Sequence, residues 1–268
     1  MTPQVTTVEL SRYRQRPLLV VGPSLGTSVT ALWGPCARLL ADRFHVVGWD
    51  LPGHGGNTAR APERLDMAGL AAGVLAAVDE LLVDRGEPGS RFVYAGDSVG
   101  GAVGLQLLLQ APERITTAVL ACTGARIGEP PDWRERRALV LRAGTKAVME
   151  SSRQRWFGPG FEARDPATAQ ILLGSLAATH PRGYAAVCEA LADFDVRHRL
   201  GEIVTPVLTI AGAADVPTPS ALLRELAAGV RHGRYAELPG VGHLAPAEAP
   251  AEVAELITQH VFNRPRSN

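Results

Sequence analysis

Short apolar runs alternate along the chain with stretches that carry the apolar spacing of a helix. The runs predict buried strands near residues 18–22, 44–50, 91–96, 115–121, 206–212 and 233–238. The helical spacing predicts helices near residues 30–41, 64–84, 99–110, 219–228 and 250–261. Because the two kinds of element alternate, we expect an α/β fold with a mostly parallel central sheet flanked by helices.

The alternation stops near residue 124. From there to residue 196 no run reads as a strand, and helical stretches rich in arginine and alanine are separated by proline and glycine. This profile is typical of a helical cap inserted after a strand. We therefore expect a core made of residues 1–123 and 197–268, and a helical cap of residues 124–196 that binds the substrate.

Composition excludes several classes of partner. The 27 basic and 27 acidic residues balance, which favours neither nucleic acid nor an anionic membrane, and no run is apolar enough to span a membrane. The scattered Cys36, Cys122 and Cys188 predict reduced thiols in a cytoplasmic protein, and the first residues lack signal-peptide features. No metal-ligand spacing occurs, so we expect no metal and no other cofactor. The oligomeric state is not indicated.

The segment Gly96-Asp97-Ser98-Val99-Gly100-Gly101 lies between a predicted strand and a predicted helix. Glycines on both sides of a serine at such a turn are typical of a nucleophile elbow, because they allow strand and helix to approach closely. We predict that Ser98 is a nucleophile. The free N–H groups at the start of the following helix would stabilise the negative charge that develops on the substrate oxygen during attack.

An acid and a base follow in the chain order that a nucleophile elbow requires. Asp215 lies just after the strand near 206–212, at the edge where open parallel sheets carry their sites. His243 lies in a loop that glycines at 240 and 242 make flexible. We predict a catalytic triad of Ser98, His243 as base and Asp215 as its orienting acid.

Other acids and histidines have different interpretations. Asp97 and Asp50 are alternative acids, although Asp97 follows the strand directly before Ser98 and its side chain should point away. His54 is expected to be structural and His180 is a candidate pocket residue. Surface positions are expected for four further histidines: His45, His198, His232 and His260.

Two backbone N–H groups are predicted to form an oxyanion hole. One belongs to Val99 and the other to the loop after the first predicted strand, where Leu25 is the first choice and Ser24 the second. Pro23 has no N–H and is excluded. This loop lacks the lysine and spacing of a phosphate-binding loop.

Further segments carry a resemblance to one known family. They are Ser24-Leu25-Gly26-Thr27, Ile127-Gly128, Trp133-Arg134-Glu135-Arg136, Arg155-Trp156-Phe157-Gly158-Pro159-Gly160-Phe161, Gly183–Leu191 and Gly242-His243-Leu244. Together they resemble the 3-oxoadipate enol-lactonases. That resemblance implies the α/β-hydrolase fold, the triad named above, and opening of a small anionic enol-lactone through an acyl-enzyme. Asp97 and Val99 in the elbow depart from the family pattern.

The predicted cap holds the candidate substrate contacts. We expect Ser24, Trp133, Arg137 and Trp156 to touch the substrate, since an arginine facing the pocket binds a carboxylate through two hydrogen bonds. Three alternatives stay open at this point. They are a carboxylesterase or carbon–carbon bond hydrolase on the same scaffold, a lyase, and a non-catalytic small-molecule receptor.

Overall fold

A central sheet organises the chain, of which this computed structural model describes residues 2–59 and 64–262. Within those residues the sheet has seven strands in the order β1-β3-β2-β4-β5-β6-β7. The strands are β1 (Thr6–Glu9), β2 (Leu18–Gly22), β3 (His45–Asp50), β4 (Phe92–Asp97), β5 (Ile115–Ala121), β6 (Val207–Gly212) and β7 (Gly233–Leu238). The β1–β3 pair is antiparallel and the other five pairs are parallel.

Helices flank this sheet and also form a separate group between β5 and β6. They are α1 (Val29–Leu40), α2 (Met67–Asp84), α3 (Val99–Gln110), α4 (Pro130–Ala143), α5 (Met149–Trp156), α6 (Phe161–Arg164), α7 (Pro166–Ala178), α8 (Pro181–Ala192), α9 (Ser220–Gly229), α10 (Ala245–Glu248) and α11 (Pro250–Phe262). α1 packs with α11 and α2 packs with α3. None of the described helices combines the length and apolar character needed to cross a bilayer.

The parallel sheet and its flanking helices confirm the predicted fold class. All six predicted strands and all five predicted helices are present, with ends within about three residues of the predicted ones. β1 and α10 were not predicted from the sequence. β1 is a four-residue edge strand whose residues alternate between half-buried and exposed, so it contains no continuous apolar run.

Two histidines predicted at the surface are in fact buried. His45 begins β3 with its side chain fully covered, and its Nε2 lies 2.9 Å from Glu9 Oε1. His260 in α11 faces inward, with Nε2 2.7 Å from Thr117 Oγ1. Both occupy core-facing positions of their elements, where a polar partner replaces water. His54, which was expected to be structural, is buried as well, and its Nδ1 lies 3.0 Å from the Pro52 carbonyl oxygen.

Residues 124–196 form α4 to α8 and contain no strand, in a stretch that the structure describes completely. The ends of the segment meet, since the Val196 N–H donates to the Ala125 carbonyl at 2.8 Å. Three loops that follow β2, β3 and β7 contact it: Ser28 with Ser175, Gly53 with His180, and His243 with Trp156. The segment therefore lies over the carboxyl ends of the parallel strands.

The backbones of β2, β4 and the start of α3 approach one another closely. A Cβ at Gly100 would lie 2.5 Å from the Gly22 carbonyl carbon, and a Cβ at Gly96 would lie 2.2 Å from the Gly100 oxygen. No larger residue fits at these positions without moving the backbone. The glycines thus permit the sharp turn between β4 and α3.

Gly100→Ala is expected to lower the free energy of unfolding by about 1–3 kcal/mol, because the added methyl group overlaps backbone atoms. Gly174→Ala in α7 is the matched control. A Cβ there meets no atom within 4 Å, so alanine should stabilise the helix by up to about 1 kcal/mol. Urea unfolding midpoints measure both changes, and equal midpoints for the two variants would contradict the packing argument.

Candidate active site

Ser98 occupies a strained turn between β4 and α3. Its φ of 52° and ψ of −112° lie outside the regions that residues other than glycine favour, at a cost of about 1–3 kcal/mol. Two hydrogen bonds hold the turn. The Ser98 N–H donates to the Ala121 carbonyl at 2.9 Å, and the Thr123 hydroxyl donates to the Ser98 carbonyl at 2.7 Å. The end of β5 therefore stabilises the conformation that lifts the serine out of the sheet.

The side chains of Ser98, His243 and Asp215 form one hydrogen-bonded chain. His243 Nε2 lies 2.9 Å from Ser98 Oγ, and His243 Nδ1 lies 3.0 and 2.9 Å from the two Asp215 oxygens. All three residues are buried. They come from the ends of β4, β6 and β7, which the parallel sheet brings to one edge.

Thr218 completes the surroundings of Asp215. Its N–H donates to Asp215 Oδ1 at 2.9 Å and its hydroxyl donates to Oδ2 at 2.6 Å. Burial by itself would raise the pKa of Asp215. The charge of His243 and the hydrogen bonds from His243 and Thr218 outweigh it, and they hold the pKa below its usual value. Asp215 is thereby kept as an anion facing the imidazole.

The two alternative acids serve other purposes. The Asp50 carboxylate accepts N–H groups of Val29 and Gly56 at 2.7 and 2.8 Å, and so fastens the loop after β3 to α1. Asp97 is fully buried, and burial followed by the charges of Asp215 and Glu248 raises its pKa well above the usual value. Neither side chain is hydrogen-bonded to His243 in the described residues.

Two backbone N–H groups near Ser98 have no acceptor within residues 2–59 and 64–262. The Val99 N–H is at the first position of α3, where a helix offers no acceptor of its own. The Leu25 N–H donates to no acceptor among the described residues, and Leu25 lines the cavity at Ser98. Ser24, the second choice, is not available because its N–H donates to Thr27 Oγ1 at 3.2 Å.

A small cavity of about 40 Å³ adjoins Ser98. Besides Ser98 and His243, four predicted residues line it, namely Ser24, Leu25, Trp133 and Trp156. Sequence reasoning missed five others: Arg136, Ser152, Arg155, Tyr184 and Pro217. All of these except Pro217 lie in the 124–196 segment, so that segment forms the wall opposite Ser98 and His243.

Arg137 lies outside the cavity, contrary to the prediction. Its Nε is 3.2 Å from Glu189 on the outer surface, where nearly half of the arginine side chain is exposed. Arg136 takes the place on the wall, because successive residues of a helix point about 100° apart. Trp133 is three positions from Arg136 and four positions from Arg137, so both arginines neighbour it along α4 and the spacing alone does not choose between them.

Two hydrogen bonds orient the Arg136 guanidinium. Nε donates to the Tyr184 hydroxyl and Nη2 donates to the Ser152 hydroxyl, each at 2.6 Å. No carboxylate pairs with Arg136 or with Arg155 in the ranges that the structure describes. The wall of the cavity thus carries two cations whose charge is not neutralised by a neighbouring acid.

The three cysteines offer no competing nucleophile. Cys36, Cys122 and Cys188 are free and buried. Burial raises the pKa of Cys36 and of Cys188 to about 12, and it raises the pKa of Cys122 strongly as well. Thiols in this state are uncharged at neutral pH and react slowly.

We therefore expect none of the three thiols to react with Ellman's reagent within minutes at pH 8 in the folded protein. All three should react after unfolding in guanidinium chloride, which serves as the internal control. Release of one equivalent of the coloured product from folded protein would show that one thiol is accessible, in conflict with the burial described above.

Comparison with known proteins gives consistent matches. The model of the alpha/beta hydrolase family matches residues 18–256. The chain is 35% identical over 236 residues to 3-oxoadipate enol-lactonase 2 of Acinetobacter baylyi, covering 88% of this chain and 85% of that protein. It is 32% identical to 3-oxoadipate enol-lactonase 1 of the same organism, over 79% of this chain and 76% of that one. The crystal structure of the enol-lactonase from Burkholderia xenovorans superposes with a TM-score of 0.88 at 28% identity, covering 96% of both chains.

Proposed function

Since the chain belongs to the α/β-hydrolase family, and within it to the 3-oxoadipate enol-lactonases, we propose that it is a serine hydrolase opening a small anionic enol-lactone. The substrate is 3-oxoadipate enol-lactone or a close relative. One observation carries the proposal: the hydrogen-bonded chain of Ser98, His243 and Asp215 ends at a cavity whose opposite wall holds Arg136 and Arg155.

Ring opening is the first chemical step. His243 Nε2 takes the hydroxyl proton as Ser98 Oγ attacks the lactone carbonyl carbon. The carbonyl oxygen becomes an anion, and the N–H groups of Leu25 and Val99 stabilise it. Loss of one such donor typically costs about 3 kcal/mol of transition-state stabilisation. The ring C–O bond then breaks, which leaves an acyl-enzyme at Ser98.

The leaving group makes this step easy. The oxygen expelled from the ring is an enolate, a weak base that takes the proton held by His243, either at oxygen or, in forming the ketone, at carbon, so that His243 is neutral again. Water then enters, loses a proton to His243 and attacks the acyl carbon. The ester bond to Ser98 breaks, Oγ regains its proton, and an open-chain dicarboxylate is released.

Arg136 supports recognition of the substrate carboxylate. Its Nε and one Nη2 hydrogen are held by Tyr184 and Ser152, so the remaining guanidinium hydrogens point in a fixed direction. A planar guanidinium suits a carboxylate through paired hydrogen bonds. Arg155 lines the same cavity and adds a second positive charge. A neutral ester lacks the group that these cations attract.

Residues 124–196 act in this proposal as a cap over a core of residues 1–123 and 197–268. The cavity at Ser98 is narrow, about 40 Å³, and cap side chains form its outer wall. Outward movement of these side chains on substrate binding widens the cavity, and their return excludes bulk water from the acyl-enzyme.

The decisive measurement compares an enol-lactone with p-nitrophenyl acetate. We expect kcat/KM for the lactone to exceed that for the ester by at least about 10-fold, since only the lactone carries a carboxylate for Arg136. Ser98→Ala should lower both activities by at least about 1,000-fold and abolish labelling by a fluorophosphonate, with the fold retained. Equal or better ester turnover would indicate a carboxylesterase, and a wild-type protein that fails to label would indicate a non-catalytic receptor.

Arg136→Met tests the anion site. We expect kcat/KM for the lactone to fall about 10- to 100-fold, because a charged hydrogen bond contributes about 1.5–3 kcal/mol. The KM for p-nitrophenyl acetate should change less than about 3-fold. Arg137→Met is the matched control on the next position of α4. It removes an exposed ion pair to Glu189 and should leave both substrates unaffected.

Equal effects of the two arginine variants on the lactone would contradict this assignment. So would an Arg136→Met variant that slows the lactone and the neutral ester alike, because that pattern indicates general damage to the cavity wall.

A further inference from the structure

The loop that carries His243 touches the 124–196 segment backbone to backbone. We call residues 240–243 the histidine loop and residues 156–158 the strap. The His243 N–H donates to the Trp156 carbonyl at 2.7 Å. A Cβ at Gly158 would lie 2.1 Å from the Gly240 carbonyl oxygen, and one at Gly242 would lie 2.4 Å from the Trp156 oxygen. Glycine at both positions lets the two segments meet without side chains between them.

One carboxylate oxygen fastens this joint. Glu248 Oε2 accepts the Gly158 N–H at 2.9 Å and the Gly242 N–H at 3.2 Å. The side chain is buried, and no lysine or arginine pairs with it among the described residues. Two charged or titratable groups face Glu248. They are His243 in the histidine loop and Asp97 at the end of β4. Glu248 therefore makes its bonds to backbone, with one partner on the strap and one on the histidine loop.

We infer that Glu248 is a positioning residue that holds the histidine loop and the strap together as one unit. The imidazole of His243 and the indole of Trp156 then take their places at the cavity together. The inference rests on the proposed function, since it treats His243 as the base of Ser98. It adds that the Glu248 carboxylate both holds this part of the cap closed and keeps the His243 imidazole in position to act as base.

The chemistry of the joint specifies what position 248 must supply. Without an acceptor at position 248, the buried N–H groups of Gly158 and Gly242 would lose this hydrogen bond. Leaving a buried donor unpaired costs free energy. A neutral amide oxygen accepts both N–H groups as a carboxylate does. A side chain of similar size without an acceptor releases both segments, and a shift of about 1 Å between nucleophile and base is enough to slow a reaction about 100-fold.

The test compares Glu248→Gln with Glu248→Met in the full-length protein. Kinetics with p-nitrophenyl acetate, the rate of fluorophosphonate labelling and the thermal midpoint are measured for each. We expect the glutamine variant to keep kcat within about 3-fold of wild type, and the methionine variant to lose about 10- to 100-fold in kcat with KM changed less than about 3-fold. Glu252→Gln is the matched control, an exposed glutamate at the start of α11.

A second variant reaches the joint from the cap side. Gly158→Ala leaves Glu248 in place but forces the strap away from the Gly240 carbonyl, so it should reproduce the loss in kcat. A folded Glu248→Met or Gly158→Ala protein with wild-type kcat and only a lower thermal midpoint would overturn the inference. A glutamine variant as slow as the methionine variant would also overturn it. Full activity of Ser98→Ala would instead refute the proposed function, so the two failures are distinguishable.

Discussion

The contact between the end of β2 and the start of α3 is the constraint on which the site depends. Gly22 and Gly100 touch through their backbones, and the Gly100 N–H donates to the Pro23 carbonyl at 2.8 Å. This contact fixes the turn at Ser98 and, through the loop after Gly22, the position of Leu25. The proposed nucleophile and both proposed oxyanion donors are thus placed by one packing interaction. Catalysis by fixed dipoles requires such preorganisation, because donors that must reorient lose their advantage.

Three buried acids lie near one another at the site, namely Asp215, Glu248 and Asp97, and they accept different numbers of hydrogen bonds. Asp215 receives hydrogen bonds from Thr218 and His243, and Glu248 receives two from backbone. Asp97 lies beside the Cys122 thiol, but its oxygens accept no hydrogen bond of normal geometry from the described residues. Burial and neighbouring charge therefore favour its neutral form. Negative charge is concentrated on Asp215, where it orients the imidazole, and repulsion between two adjacent anions is avoided.

Local signals were enough to predict the fold and the residues of the hydrogen-bonded chain. Ser98 follows from a strand, a glycine-rich turn and a helix, and Asp215 from its place after a buried strand. Features set by long-range packing were not predictable in this way. Choosing Arg136 over Arg137 requires the rotation of α4, and the burial of His45 requires knowing that β1 pairs with β3. Glu248 lies in a four-residue helix. The N–H groups that it accepts belong to Gly158, which is remote in sequence, and to Gly242 in the histidine loop.

Access to Ser98 depends on which parts of residues 124–196 are hydrogen-bonded to the rest of the protein. The strap is bound to the histidine loop, so it cannot open without disturbing His243. On the other side, a second cavity of about 350 Å³ shares Trp133, Arg136, Arg155 and Pro217 with the small cavity at Ser98. Of these four shared residues Arg155 is the exposed one, so its side chain is the least held by buried contacts. Under the proposed function, an anionic substrate that approaches from this side meets the guanidinium groups of Arg155 and Arg136 before it meets Ser98.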